Sequence, residues 1–409
     1  MIRRRHVFYV EGYDPRGADG YYRMFAREWK QFGPTWGVRA DLGKLEIDSE
    51  HFAHWNIDTA AANWQVAVRY EFLRLEDPIR RHIARPLVRQ ISDALWWTVM
   101  DLATGTMFRI VRAAWRFALH LALIQGLLVA WLVVAAAGGV VSGFAAARLA
   151  DLPTWAAAAL GIAGGVACLH GLRPLAVRWL VIQVANCWPN VRRFARGAAS
   201  GFDPYAEACA RRLVEAARDA DADEIVLVSH SAGCAVSPVI MARAFEIDPD
   251  LGRHGPAIVM LTLGSLMPGF ALHPSAHRLR AAMRSLAREP SLFWLDCQAR
   301  KDPMNFWEFD PIAGCGIDLG AERRNPAVWV LRMRDMLTDD IYDRMRFNHF
   351  RMHYQFIMGN NRRAEYDYNL LICGPLPIRE YVRFQARIPH SFSADGSFLT
   401  ETIEARELN

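Results

Sequence analysis

Ser231 stands where a strand, a tight turn and a helix are expected to meet. Two acidic and four apolar residues, three of them β-branched, occupy positions 223–228 and favour a buried strand. An apolar run at helical spacing follows from residue 235 onward. Ser229 and Gly233, two positions before and after Ser231, are small, as a strained turn requires. This context predicts a nucleophile elbow with Ser231 at its tip and a helix N-terminus facing developing negative charge.

The spacing alone is a weak signal, because the common elbow pattern is G-x-S-x-G and Ser229 replaces its first glycine. An ordinary strand-to-helix turn rich in small residues has the same spacing. A serine hydroxyl is also a weak nucleophile at neutral pH, so catalysis needs a base within hydrogen-bond reach and an acid that fixes the tautomer of that base.

The elbow and its surroundings resemble the α/β-hydrolase superfamily, specifically membrane-associated, lipase-like bacterial members with a transmembrane insertion. The resemblance rests on Ser229-His230-Ser231-Ala232-Gly233, on the order of strands around it, and on segments 292–304 and 348–356. It implies the chain order nucleophile, acid, histidine. It also implies an acyl-enzyme and no cofactor.

The acid of these relatives normally follows a late strand. Leu292 to Cys297 reads as such a strand, and Asp302 lies in the loop just beyond it. We therefore predict Asp302 as the acid and keep Asp296, inside the strand, in reserve. The alternative for Asp302 is an Asp-Pro turn that caps a surface loop.

Two histidines lie downstream, where the base is expected. His353, in a His-Tyr context similar to these relatives, is the predicted base, and His349 is the reserve. The two are four residues apart, so a metal pair is conceivable, but no nearby Glu completes an H-E-x-x-H motif and no metal is predicted. Both can instead be plain surface or partly buried histidines. His230 occupies the variable position of the elbow and is not predicted to be the base.

Acyl transfer also needs hydrogen-bond donors for the tetrahedral oxyanion. The backbone N–H of Ala232, immediately after the nucleophile, is one predicted donor. The resemblance places the second in the loop after an early strand, where Gly12 permits close approach and the N–H of Tyr13 is the candidate. Glu11 replaces the histidine that precedes this glycine in many lipases. A plain turn at the end of a strand is the alternative.

The composition is that of a folded protein: of 409 residues, 52% are apolar and 22% are charged. The net charge of +5 is modest and its arginines are not interleaved with aromatic residues, so nucleic acid is not an expected partner. Seven cysteines without C-x-x-C spacing indicate a reducing compartment. The three arginines at positions 3–5 precede too short an apolar run for an export signal.

Two uncharged runs, 117–147 and 152–172, are each long enough to cross a bilayer. Both contain G-x-x-x-G, which predicts a tight hairpin. Arginines cluster on both outer flanks, whereas Arg148 is the basic residue of the connecting loop. We therefore predict two spans in a bacterial inner membrane, with the hydrolase parts in the cytoplasm. Residues 75–116 are expected to be helical and close to the membrane surface, and the alternative is a solvated basic helix with two core tryptophans.

Strands alternate with helices outside these runs, which predicts an α/β fold: an α/β-hydrolase-like, mainly parallel sheet with helices on both faces, interrupted by the hairpin. The predicted parts are an N-terminal part (1–110), the hairpin (111–185) and a C-terminal part with elbow, acid and histidine (186–409). Predicted strands are His6–Val10, Trp36–Ile47, Trp64–Phe72, 223–228, Ala257–Leu263, Leu292–Cys297, Val328–Met333 and Tyr368–Cys373. Predicted helices are Tyr21–Phe32, Pro204–Ala220, a helix from Ala232, Ala276–Ala287 and Asp340–Met358.

These features favour a membrane-anchored serine hydrolase that cleaves an ester of a lipid or acyl chain through Ser231, His353 and Asp302. The alternative is a catalytically silent, hydrolase-like module that binds a lipid or protein partner at the bilayer. A transporter is disfavoured because the two spans carry no charged side chain for a translocation path. Fold does not fix the substrate, and the oligomeric state is left open.

Overall fold

The computed structural model describes residues 1–198 and 200–400. Nine strands form one sheet: β1 (Arg4–Val10), β2 (Arg39–Leu42), β3 (Glu46–Ile47), β4 (Phe52–Ala61), β5 (Trp64–Leu73), β6 (Glu224–His230), β7 (Ala257–Leu263), β8 (Leu292–Ala299) and β9 (Ala327–Leu331).

Helices α1 to α9 are Gly17–Trp36, Glu76–Ile83, Leu87–Ala103, Thr106–Ala113, Trp115–Leu149, Thr154–Gly171, Arg173–Arg178, Val181–Arg196 and Asp203–Arg218. Helices α10 to α16 are Ser237–Ile247, Met267–Ala271, His277–Arg288, Asp339–Met345, His349–Tyr354, Tyr368–Cys373 and Ile378–Arg383. Short 3₁₀ helices cover Ser231–Ala235, Ala313–Cys315, Gly320–Glu322, Met333–Met336, Gln355–Ile357 and Gln385–His390.

The sheet order is β2-β4-β5-β1-β6-β7-β8-β9, with β3 paired to β4. From β5 to β9 all neighbours are parallel, whereas β2, β3 and β4 add an antiparallel edge. The prediction of a mixed α/β protein with a mainly parallel sheet is therefore confirmed. At the centre of the sheet, β1 pairs with β6. Strand β1 precedes the apolar hairpin of α5 and α6 in the chain, and β6 follows it.

Side chains alternate across the sheet and supply two separate cores. Phe8 and Leu227 pack on one face against α8, α9, α10 and α12. Tyr9 and Val228, one position further along, pack on the opposite face against α1 and α15. Because both faces are covered by helices, the central strands are apolar on both sides, and β6 is fully buried.

An ion pair ties β1, β6 and the C-terminal part together. The Arg5 Nε lies 2.8 Å from Glu224 Oε2, and both side chains are buried. The guanidinium also donates to three backbone carbonyls between residues 372 and 376, while Glu224 Oε1 accepts from the Ile378 N–H at 3.0 Å. These contacts compensate the cost of burying two charges.

The N-terminal edge of the sheet differs from the prediction. Helix α1 continues to Trp36 and ends at Gly37, whose φ of +72° suits a left-handed helix cap. The strand predicted over Trp36–Ile47 is therefore wrong in its first residues and is split into β2 and β3. Strand β4 was not predicted, although alternate side chains such as Trp55 and Ile57 are buried along it.

The strand predicted over Tyr368–Cys373 is wrong, because this segment is helix α15. The Asp367 carboxylate accepts from the Leu370 N–H at 3.1 Å and caps the helix. All six residues of α15 are buried, so its apolar run lacks the polar face that marks an amphipathic helix.

The helix predicted over Asp340–Met358 is divided. Helix α13 ends at Met345, and Asn348 starts α14 by accepting from the Arg351 N–H at 3.0 Å. A 3₁₀ turn then covers Gln355–Ile357. This break matters for the candidate site, because α14 carries both histidines.

Helices α5 and α6 are long and apolar enough to cross a membrane. They pack closely, as G-x-x-x-G predicts: a Cβ added to Gly139 would lie 2.9 Å from the Gly161 carbonyl oxygen. A Cβ added to Gly143 would lie 3.1 Å from the Ala157 carbonyl oxygen. The start of α5 also joins the body of the protein, since the Phe117 ring lies 5.9 Å from the Trp188 ring of α8.

Replacing Gly139 by Leu is expected to force the two helices apart and to destabilise their packing by about 1–3 kcal/mol, because the new side chain meets backbone. The measurement is the thermal unfolding midpoint of the protein in detergent. Gly126→Leu is the matched control on the same helix, because a Cβ at Gly126 meets no described residue within 4 Å. Equal shifts in the two variants would contradict the close helix contact.

Candidate active site

Ser231 lies at a strained turn at the end of β6. Its φ is +58°, a left-handed conformation that costs a residue with a side chain roughly 1–2 kcal/mol. The backbone enters a 3₁₀ turn here, and α10 begins only at Ser237, followed by Pro238, instead of at Ala232 as predicted. The strained conformation expected of an elbow is present at the predicted serine.

A steric contact explains Gly233 in the elbow, and hydrogen bonds explain Ser229. A Cβ added to Gly233 would lie 2.3 Å from the Glu11 carbonyl oxygen, so only glycine fits without moving the backbone. Ser229 is fully buried, and its Oγ accepts from the Ser237 hydroxyl at 2.8 Å and donates to the Leu261 carbonyl at 3.2 Å. Ser229 thus secures the start of the turn by hydrogen bonds, a role that a glycine cannot perform.

The loop after β1 passes directly beside Ser231, because Val10 of β1 pairs with Ser229 of β6. A Cβ added to Gly12 would lie 3.2 Å from the Ser231 Cβ and 3.6 Å from its Oγ. The Tyr13 N–H has no hydrogen-bond acceptor within the described residues. The Ala232 N–H belongs to the first turn of a helix, where N–H groups lack intrahelical acceptors. Both predicted oxyanion donors line the same cleft as Ser231.

Glu11, which stands where many lipases have histidine, is buried under this loop. Burial, reinforced by Glu76 and Asp14, raises the pKa of its carboxyl well above its usual range. Because a raised pKa favours the neutral acid, Glu11 brings little negative charge to the place where an oxyanion would form.

Asp302 and His353 form a buried pair. The His353 Nδ1 lies 2.7 Å from Asp302 Oδ2, and each residue is 1% exposed. The Met304 N–H donates to the other carboxylate oxygen at 2.8 Å. The Asn305 side chain donates to the carbonyls of Ala299 and Asp302, both at 2.7 Å, and so fixes the loop that follows β8.

The other ring nitrogen of His353 is available. Its Nε2 is buried and has no hydrogen-bond partner among the described residues. A carboxylate at Nδ1 favours the tautomer in which Nδ1 carries the proton and Nε2 accepts one. His353 and Ser231 line one cleft of about 730 Å³, together with Gly12, Tyr13 and Ala232. The structure therefore brings the predicted serine, histidine and acid to one place.

The two reserve residues lie apart from this pair. His349 is exposed, and its ring lies 6.4 Å from the ring of His120 on α5. Asp296 is buried within β8, where the Thr262 hydroxyl donates to it at 2.5 Å and Gln298 Nε2 at 2.8 Å. Burial raises the pKa of Asp296 to about 6. Neither residue has a contact that would make it the partner of Ser231 or His353.

His230 supports His353 from the elbow. Its Nε2 lies 3.0 Å from the His353 carbonyl oxygen, and the two rings are 4.6 Å apart. Burial lowers the pKa of His230 well below its usual value, so the ring is neutral and donates to that carbonyl. It therefore helps to position the backbone of α14.

Two supporting residues were missed from the sequence. Gly264 follows β7 with a φ of +54°, and a Cβ there would lie 2.8 Å from the Phe356 ring and 3.3 Å from His353 Cε1. Asn305 was missed as the residue that holds the acid loop. Two signals in the sequence were available. Gly264 directly follows a predicted buried strand, and Asn305 is a polar residue three positions after Asp302.

Within the described ranges, no group of three or more His, Cys, Asp and Glu side chains could hold a metal ion. The arrangement instead contains a strained serine, a histidine oriented by a carboxylate, and two backbone N–H groups beside the serine. Comparisons with protein-family models, with curated proteins and with solved structures give no match to this chain.

Proposed function

We propose that the protein is a membrane-anchored serine hydrolase of the α/β-hydrolase type that cleaves carboxylic esters. The observation that carries this proposal is the buried 2.7 Å contact between His353 Nδ1 and Asp302, which leaves Nε2 unpaired in the cleft that Ser231 lines. A structural histidine usually has partners for both nitrogens when it is buried. An unpaired buried nitrogen in the same cleft as a strained serine is typical of a site whose polar groups are paired only during a reaction.

In the proposed reaction, His353 Nε2 takes the proton of the Ser231 hydroxyl while Oγ bonds to the ester carbonyl carbon. The N–H groups of Ala232 and Tyr13 stabilise the oxyanion that results. When the carbon–oxygen bond to the alcohol breaks, His353 gives the proton to the leaving oxygen. Water then adds to the acyl-enzyme by the same route and releases the acid, and Asp302 keeps the imidazole oriented throughout.

We also propose that α5 and α6 cross a bacterial inner membrane and leave the catalytic parts in the cytoplasm. Arg109, Arg112 and Arg116 precede the first span, and Arg173 and Arg178 follow the second. Between the two apolar runs, Arg148 in the last turn of α5 is the basic residue. This placement supports an ester with an acyl chain as substrate, because α8 lines the cleft and packs on α5.

A fluorophosphonate probe is expected to label the purified protein on the peptide that contains Ser231. Ser231→Ala should abolish labelling and lower kcat/KM for an acyl ester by about 10⁶-fold, to background. Ser285→Ala, at an exposed serine of α12, is the control and should label normally. A folded wild-type preparation that is not labelled would instead favour the silent, ligand-binding module.

His353→Ala is expected to lower kcat/KM by at least about 10⁴-fold, because the serine loses its base. His349→Ala, which changes an exposed histidine on the same helix, should stay within a few fold of wild type. Both variants are measured with the same ester. The opposite order of effects would assign the base to His349.

Asp302→Asn is expected to lower kcat by about 10⁴-fold, because an amide favours the wrong histidine tautomer. The matched change Asp296→Asn keeps a hydrogen-bonding group in β8 and should leave kcat within about tenfold of wild type, since Asp296 does not contact His353. A larger loss for Asp296→Asn than for Asp302→Asn would refute the assignment of the acid.

A further inference from the structure

The cleft at Ser231 has two chemically different walls. The apolar wall comes from α8, from the residue that precedes it and from two neighbouring loops, and consists of Leu180, Val184, Cys187, Leu266 and Met304. Leu266 lies next to the nucleophile, because its N–H donates to the Ser231 carbonyl at 3.2 Å. Helix α8 also packs on the hairpin, with Val181 and Ile182 against Leu128 and Trp131 of α5. The apolar wall therefore begins where the hairpin joins the body.

The opposite wall is cationic. Arg16 precedes α1, and Arg23 and Arg27 lie within it. Their spacings of seven and four residues put the three on one side of the helix. A fourth arginine, Arg351, comes from α14. All four line the cleft. We call these four residues the arginine wall.

The arginine wall carries more positive charge than its neighbours neutralise. Among the described residues, the carboxylates that form ion pairs with it are Asp14, which pairs with Arg16, and Glu28, which pairs with Arg27 and Arg351. Four guanidinium groups against two carboxylates leave an excess of two positive charges. Arg23 has no ion-pair partner in the described part of the chain and is exposed to the cleft.

The arginine wall adjoins the histidine side of the site. Arg351 lies two residues before His353, and Arg16 donates to the hydroxyl of Tyr354, the next residue, at 2.8 Å. In serine hydrolysis the histidine protonates the leaving alcohol, so the alcohol part of an ester lies on the histidine side. A group on that alcohol would therefore face the arginines.

The cleft also contains an unused hydrogen-bond acceptor. The Gln183 Oε1 is buried without a partner among the described residues, and Gln183 lines the cleft from the first turn of α8. A substrate hydroxyl can satisfy this oxygen. A polyol such as glycerol supplies a free hydroxyl between an acyl chain and an anionic group.

Resting on the hydrolase function proposed above, we propose that the cleft selects acyl esters whose alcohol part carries an anionic group of the phosphate class. The acyl chain lies along α8 and the anion contacts the arginine wall. Arginine suits this role because its planar guanidinium donates two parallel hydrogen bonds to phosphate or carboxylate oxygens. Because α8 packs on α5 of the hairpin, the bilayer is the source of the ester in this proposal.

The test compares two substrates that differ only in the phosphate: 1-oleoylglycerol 3-phosphate and 1-oleoylglycerol, presented to the full-length protein in neutral detergent micelles. The wild type is expected to show at least a tenfold higher kcat/KM for the phosphate ester. This preference should shrink as salt is raised, because the arginines are partly exposed. Equal rates, or faster cleavage of the neutral ester, would overturn the proposal.

Arg23→Glu is expected to reduce the preference at least fivefold. Lys30→Glu is the matched control, because it makes the same charge change at an exposed position of α1 that does not line the cleft, and it should keep the wild-type preference. The thermal unfolding midpoint shows that both variants fold. Equal losses of preference in both variants would mean that net charge, and not the arginine wall, selects the substrate.

A third arm replaces oleoyl by butanoyl in the phosphate ester and so separates a bilayer source from a soluble one. We expect the oleoyl ester to be cleaved faster, and a faster butanoyl ester would overturn the assignment of the apolar wall. If the fluorophosphonate labels Ser231 but neither phosphate ester is cleaved, the substrate proposal fails alone. If Ser231 is not labelled, the hydrolase function itself fails.

Discussion

The parallel pairing of β1 with β6 is the constraint on which the rest of the structure depends. These neighbours come from opposite sides of the apolar hairpin in the chain, so they can meet only if both flanks of the hairpin lie in one compartment. An even number of crossings meets this requirement and an odd number does not. The same pairing sets Gly12 beside Ser231, so the placement of the two flanks of the hairpin and the geometry of the candidate site depend on a single register.

The candidate site collects residues that follow the carboxyl ends of adjacent parallel strands. Gly12 follows β1, Ser231 follows β6, Gly264 follows β7 and Asp302 follows β8. Open parallel sheets place ligand sites at this edge because the loops there converge. His353 does not follow a strand but lies on α14. The His353 ring contacts Asp302 and the His353 carbonyl contacts His230, and these two contacts hold α14 over the same edge of the sheet.

Features that depend on residues close together in the chain could be predicted from the sequence, whereas features that depend on distant contacts could not. The buried strand before Ser231, the small residues of the elbow and the close glycine contacts of the hairpin depend on near neighbours, and the structure contains them. The segment 368–373 was predicted wrongly because a helix buried on all sides has no amphipathic period. His353 and His349 could not be separated by geometry, because their difference is a contact with Asp302, about fifty residues away in the chain.

The ion pair of Arg5 and Glu224 has a consequence for how the protein is made. Arg5 is synthesised well before residues 372–376, yet its guanidinium donates three hydrogen bonds to backbone carbonyls of that segment. Until that segment emerges, a central strand carries an arginine that cannot be buried without cost. The sheet can therefore begin to form during translation but reaches its final stability only after residues 372–376 have been synthesised, which is later than the hairpin formed by α5 and α6.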